Sequence, residues 1–269
     1  MKLRTIPLAA LAVFTVAGPA SAASTLLFAD NFNETPANEV ASTFNASLAG
    51  SQSGSIGTTT YSVLGSGNAA QHSNGGNQLT LANFAGFPST NTGRVSLDHN
   101  FATQANSLNQ ALVFSFQIKS ITNFAADTEN WGSFTVGSTQ NPFVTSGYAG
   151  AIFRANGATQ SFAAGNTPTS TAAWNADDYV TITLSGLGGV GSAFSTNGSE
   201  AKIQIGSNVI GTYDIGQQSV AYLTFGVASP QDFGVANFDN LSVTAIPEPG
   251  AALLGGLGML ALLRRKRGF

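Results

Sequence analysis

Hydrophobic residues recur at every second position along much of the chain. Leu112, Phe114, Phe116 and Ile118 alternate with Val113, Ser115, Gln117 and Lys119. Val180, Ile182 and Leu184 alternate with Thr181, Thr183 and Ser185; Ala221, Leu223, Phe225 and Val227 alternate with Tyr222, Thr224 and Gly226. A period of two places successive side chains on opposite faces of an extended chain, so each run predicts a strand with one apolar face. Shorter runs predict strands over 26–32, 59–64, 78–84, 93–98, 131–136, 148–154, 158–163, 201–206, 208–214 and 237–245. Gly, Asn, Ser or Pro separates most of them, as turns require. Outside the two ends no long segment carries the 3.6-residue period of a helix, and 100–110 is the best place for a short helical turn. Segments 34–58 and 65–77 are polar and rich in Gly, Ser and Asn, and read as long surface loops with room for short strands. The pattern predicts an all-β fold, two sheets packed ~10 Å apart in a sandwich or barrel. No repeat or linker divides the region.

The ends read differently. Lys2 and Arg4 precede an apolar stretch, Ile6 to Ala17, and Ala20-Ser21-Ala22 is a small-x-small cleavage site. Residues 1–22 are therefore expected to be a secretory signal peptide, with the mature chain starting at Ala23. At the other end Ile246-Pro247-Glu248-Pro249 leads into Gly250 to Leu263, 14 uncharged residues, and then Arg264-Arg265-Lys266-Arg267. As a helix this stretch would span ~21 Å, short of the ~30 Å hydrocarbon core. Bilayer thinning and snorkelling of the flanking cations absorb such a mismatch. The positive-inside rule places the basic cluster in the cytoplasm, and the N-terminal signal sends the main domain outward, so the two ends predict one topology. The expected organisation is a signal peptide, an ectodomain over 23–245 and a tail over 246–269.

That tail resembles the PEP-CTERM sorting signal, a Pro-Glu-Pro motif followed by a short transmembrane segment and an Arg-rich terminus. The likeness covers about the last 25 residues. It implies recognition by an exosortase, a membrane transpeptidase, with Pro247, Glu248 and Pro249 as the sorting motif. It also implies transient anchoring in the inner membrane of an exopolysaccharide-producing bacterium, then release or attachment at the cell surface or matrix. Separately, Leu27-Phe28-Ala29-Asp30-Asn31-Phe32-Asn33 and Phe238-Asp239-Asn240-Leu241-Ser242-Val243-Thr244 resemble the first and last strands of concanavalin-like (laminin-G-like) jelly rolls. A galactose-binding-type jelly roll is the alternative. Either implies terminal strands lying side by side.

Composition narrows the chemistry. Charged residues make up 9% of the 269 residues, against roughly 25% in typical soluble proteins. The absence of cysteine excludes a disulfide scaffold, thiolate catalysis, iron–sulfur clusters and Cys-type zinc sites. Two histidines, His72 and His99, are too few for a poly-His metal site. Between Ala23 and Ile246 stand four basic and twelve acidic residues, a net charge of −8. Such a domain is a poor nucleic-acid binder.

Candidate sites are few. A jelly-roll glycosidase needs two carboxylates facing one another ~5–9 Å apart. The related glucanases usually carry both on one strand as an E-x-D-x-E run, which this chain lacks. Asp127 and Glu129, just before Trp131, come closest, but Asn123 to Asn130 reads as a loop. Asp177-Asp178 reads as a polar turn starting a strand at Tyr179. Asp30 and Asp239 would approach one another if the terminal strands pair, and are candidate ligands of a structural calcium ion, with hydrogen bonds to nearby loop backbone as the alternative. No other cofactor is indicated. Trp131, Trp174, Tyr148 and Tyr222 are candidate sugar platforms, because aromatic faces stack on pyranose C–H surfaces; sandwich core is the competing role for each tryptophan. His72 reads as a solvated loop residue, and Asp98-His99 as a hydrogen-bonded loop end. Gly65-Ser66-Gly67 lacks the spacing of a nucleophile elbow, and Gly186 to Gly191 lacks the βαβ context of a dinucleotide loop. The expectation is a secreted, non-enzymatic surface or matrix protein, structural or adhesive and able to bind glycan. The alternatives are a glycoside hydrolase or lyase on the same fold, and a protein–protein adhesion module.

Overall fold

The computed structural model describes residues 23–33, 39–41, 47–48, 52–64, 68–72, 78–83, 92–99, 101, 104, 110–123, 131–137, 148–163, 169–185, 200–214, 222–228 and 234–247. The signal segment and the tail beyond Pro247 lie outside them. Residues 23–248 form one compact unit. Eighteen strands, numbered β1 to β18 in chain order, occur among the described residues, and all pairings between them are antiparallel.

One sheet has ten strands. Its main path runs β16 (Asn208–Asp214), β15 (Glu200–Ile205), β14 (Tyr179–Ser185), β9 (Gln110–Asn123), β18 (Gly234–Pro247), β7 (Leu79–Asn83), β6 (Asn68–His72), β2 (Glu39–Ala41). Off this path, β1 (Thr25–Asp30) pairs with β18 and with β4 (Gln52–Ser53). The second sheet has eight strands: β13 (Thr169–Ala173), β12 (Ala158–Ala163), β11 (Tyr148–Arg154), β10 (Trp131–Gly137), β17 (Tyr222–Ala228), β8 (Thr92–Leu97), β5 (Tyr61–Leu64), β3 (Ser47–Leu48). This is the two-sheet sandwich expected from the alternating pattern, with the jelly-roll form expected from the resemblance of the terminal strands.

The core lies between the sheets. Phe116 of β9 packs against Phe134 of β10 at a centroid distance of 4.3 Å, Phe225 of β17 at 5.4 Å, Phe238 of β18 at 5.8 Å and Phe153 of β11 at 6.0 Å. Two of these rings come from one sheet and three from the other, so the inner faces interdigitate. All five are fully buried. Tilted and edge-to-face rings at such distances add to the burial energy.

The eight-stranded sheet departs from a simple inward-apolar, outward-wet pattern. Ser96, Ser133, Thr135 and Thr224 alternate with core residues, yet each is at most 1% exposed. Burial of a hydroxyl is tolerated when it is hydrogen-bonded. Thr224 Oγ1 donates to Ser96 Oγ at 3.2 Å, and Ser96 Oγ to the Leu223 carbonyl at 3.4 Å.

The terminal strands lie side by side. β9 runs along one side of β18 from Gly234 to Pro247. On the other side β7 pairs with Gly234–Phe238 and β1 with Leu241–Ala245. Pro247 pairs with Gln110, so the ladder reaches the first residue of the Pro-Glu-Pro motif. A proline has no N–H with which to continue it.

The structure corrects several expectations. The first strand ends at Asp30 rather than 32, because Phe32 takes a left-handed conformation (φ 53°) and its N–H bonds back to Asp30 Oδ1 at 2.9 Å. His72, expected in a loop, ends β6, and its backbone pairs with Glu39. β13, Thr-Ser-Thr-Ala-Ala, carries no large apolar residue and gave no periodic signal. Of the expected helical turn at 100–110, only Phe101, Gln104 and Gln110 are among the described residues. Asp127, Glu129, Gly65 to Gly67 and Gly186 to Gly191 lie outside them.

Candidate functional site

The four aromatic platforms do not converge. Trp131 opens β10 opposite Arg154 and Ala228. Tyr148 and Tyr222 both stand opposite Gly137 at the other end of that strand, six residues away, or ~20 Å at strand rise. Trp174 packs its ring against the core, and its Nε1–H donates to the Arg154 carbonyl at 2.8 Å. That gives Trp174 a structural role. Asp98 and His99 also go separate ways: Asp98 Oδ2 accepts from Ser62 Oγ at 2.7 Å, while His99 Nε2 meets Gln104 Oε1 at 3.2 Å.

None of the eight strands of the second sheet contains Asp or Glu; every strand carboxylate sits in the ten-stranded sheet. Polar chemistry gathers there, on the face turned away from the core. Three β-bulges create the place. Between Asp239 and Ser242, β18 has one more residue than β9; between Asn237 and Phe238 the extra residue is Lys119 on β9; β1 carries another at Leu27, opposite Thr244 and Val243. A bulge bends its strand and re-aims side chains. At the first of them Asn240 is left-handed, with φ 50°.

The displaced side chains form a network. Asn240 Nδ2 donates to Gln117 Oε1 at 2.6 Å, and Gln117 Nε2 donates to the Asp177 carbonyl at 3.1 Å. Lys119 Nζ forms an ion pair with Asp177 Oδ1 and lies 3.9 Å from Asp239 Oδ2. The Asp177-Asp178 turn is docked on β9 as well: the Asp177 N–H donates to the Ile118 carbonyl at 2.8 Å, and the Ile118 N–H to the Asp178 carbonyl at 3.2 Å. Asp178 Oδ2 closes the turn by accepting the Asn175 N–H at 2.7 Å. This is the strand-starting polar turn read from the sequence.

Burial pushes the Asp239 carboxyl above its ordinary value, against the Asn240 N–H and Lys119; Asp177 and Asp30 add repulsion that raises it further. The hydrogen bond to Asp177 raises Lys119, opposed by desolvation and helped by the charges of Asp177, Asp239 and Tyr179.

Asp30 and Asp239 are thus drawn to one region by the pairing of the terminal strands. Each carboxylate also serves local backbone: Asp30 Oδ1 accepts the Phe32 N–H, and Asp239 Oδ1 accepts the Asn240 N–H at 2.7 Å. Among the described residues no group of three or more His, Asp or Glu side chains could hold a metal ion.

Beside this network lies an open depression of about 580 Å³. Ala29, Asp30, Asn31 and Asn33 line it from β1 and the corner after it, Gln52 and Ser53 from β4, Asn240, Leu241 and Ser242 from β18, and Tyr179 from β14. The register builds this grouping: Ala29 stands opposite Ser242 on one side and Ser53 on the other. Gln52 Oε1 accepts the Thr59 N–H at 2.6 Å, while its Nε2 is buried without a hydrogen-bond partner. Tyr179 is 48% exposed. Sequence reasoning reached Asp30 and Asp239 and missed Tyr179. The signal was there: Val180 faces inward in the alternating run, so its neighbour must face out.

No protein-family model matches the chain, and no curated protein matches it. Solved structures do. An endo-1,3-β-glucanase from Streptomyces sioyaensis superimposes with a TM-score of 0.52 and 12% identity, over 86% of this chain and 99% of that one. A botulinum neurotoxin type C structure, from work on cell entry dependent upon two ganglioside molecules, matches with a TM-score of 0.50 and 14% identity over 85% of this chain. The match takes in only 50% of that chain, so this protein spans about half its length. At these identities the likeness is one of fold.

Proposed function

We propose that this is an exported, non-enzymatic protein of the bacterial cell surface or exopolysaccharide matrix whose jelly-roll domain binds glycan. The observation that carries the binding reading is the fold itself, together with its wet face of amides and hydroxyls around an exposed tyrosine. Solved structures sharing the sandwich include a β-glucan hydrolase and a toxin whose cell entry depends on gangliosides. The absence of an E-x-D-x-E run from the sequence supports binding over hydrolysis, because glycosidase chemistry takes a pair of facing carboxylates. Export and sorting rest on the two ends of the sequence. An exosortase reads Pro247, Glu248 and Pro249, while the apolar stretch and Arg264, Arg265, Lys266 and Arg267 hold the chain in the inner membrane until the tail is removed.

Two experiments test this reading. Purified full-length protein in mild detergent is applied to a glycan array and incubated with the glycans it retains. Saturable binding without release of reducing sugar is expected. Hydrolysis would select the carbohydrate-active alternative, and retention of envelope proteins with no glycan would select the protein-adhesion one. In the native host, alanine at Pro247, Glu248 and Pro249 should block removal of the tail; normal processing would count against sorting.

A further inference from the structure

The depression at the terminal-strand bulges has the chemistry of a small binding site. Its volume of about 580 Å³ falls within the ~300–1,000 Å³ of ordinary ligand pockets. Three large apolar side chains are exposed among the described residues, Leu26, Tyr179 and Val209, and Tyr179 is the aromatic one. It stands on the rim of this depression. Carboxamides make up four of the other nine described lining residues: Asn31, Asn33, Gln52 and Asn240. A carboxamide both donates and accepts, which is what a sugar hydroxyl needs from its partner. The Asn240 carboxamide gives one N–H to Gln117, and its Oδ1 accepts nothing among the described residues.

Charge selects the ligand. Among the described residues no Lys or Arg lines the depression, and Asp30 does. The nearby cation, Lys119, is held by Asp177 and Asp239. A sulfated, phosphorylated or uronic-acid glycan would meet the Asp30 carboxylate and no cation among the described lining residues, on a domain whose net charge is already −8. We propose that the depression is a subsite for a neutral saccharide, with Tyr179 as the stacking platform and Asn31 and Asn240 as hydrogen-bond partners. This rests on the glycan-binding reading and locates it away from Trp131, Trp174, Tyr148 and Tyr222.

The test uses full-length protein with Tyr179→Ala, Tyr179→Phe and Asn240→Gly variants. Asn240→Gly removes the amide while leaving the left-handed backbone unstrained. The probes are neutral β-1,3-glucan, β-1,4-glucan, mannan and galactan oligosaccharides, with alginate and hyaluronan oligosaccharides as anionic counterparts. Native protein should bind at least one neutral oligosaccharide and neither anionic one. Tyr179→Ala should weaken that binding about tenfold or more, equivalent to ~1.4 kcal/mol. Tyr179→Phe should retain it, and Asn240→Gly should fall between, with all melting temperatures close to native. Full retention of binding by Tyr179→Ala would overturn the location while glycan binding stood. Preference for the anionic probes would overturn the ligand class. No binding by the native chain to any glycan would overturn this proposal together with the reading beneath it.

Discussion

Asn240 and Gln117 hold the two central strands together across a bulge. The Asn240 carboxamide, on a left-handed backbone, donates to Gln117 Oε1 at 2.6 Å. Asparagine suits the position because it tolerates that conformation better than other side chains and bonds from it. Asn240→Ala should destabilise the domain by ~1–2 kcal/mol, from strain and a lost hydrogen bond. Asn240→Gly, which relieves the strain, should cost less. Urea unfolding of the two variants checks the order.

Gly54 sets how closely the turn after β4 approaches β1. Its φ is +119°, and a Cβ built there would lie 2.4 Å from the Leu27 carbonyl oxygen, which is backbone and cannot swing away. The adjacent N–H groups of Ser55 and Ile56 donate to the Leu26 and Leu27 carbonyls at 3.1 and 3.0 Å. Gly54→Ala should therefore break this contact and cost ~1–3 kcal/mol. It should also weaken saccharide binding, because Gln52 and Ser53 precede the displaced residue. A melting curve and a binding titration on one preparation show both effects.

Phe116 touches aromatic rings from both sheets, so its removal empties the middle of the sandwich. Phe116→Ala should cost ~3–5 kcal/mol and Phe116→Leu considerably less. Denaturant midpoints measure the difference, and near-equal losses would mean the ring contacts add little beyond volume.

How much of this was legible in the sequence depends on the distance over which a signal acts. The run from Leu112 to Ile118 announced its strand and its buried face, because period two is a local property. The pairing of β1 with β18 was legible only through the resemblance carried by Asp30-Asn31-Phe32 and Asp239-Asn240-Leu241. The bulges were not legible, since an extra residue shows only against a partner strand. Tyr179 became a candidate only when β14, β9, β18 and β1 were laid side by side. The burial of Thr224 and Ser133 was not legible either, because an alternating run marks the apolar face of a strand and does not say what covers the other.

The acid–base behaviour of the bulge network provides the last prediction. Asp239 titrates above its ordinary 3.8 in the folded protein, first because it is buried. A carboxyl raised by folding binds its proton more tightly in the native state, so it favours folding fully below 3.8. That contribution is lost as pH rises through the folded value. Lys119 is raised above 10.5, so the stability it contributes is present below that pH and lost as pH climbs through its folded value. The groups around Asp239 are Asp30, Lys119 and Asp177; Tyr179 also acts on Lys119. Asp239→Asn should thus gain in melting temperature relative to native protein between about pH 3 and about pH 7. Lys119→Met should lose relative to native protein at about pH 7 and converge on it above the ordinary lysine range. Melting curves across both windows decide the matter: a native–Asp239→Asn difference independent of pH would show that Asp239 titrates alike in the folded and unfolded chain.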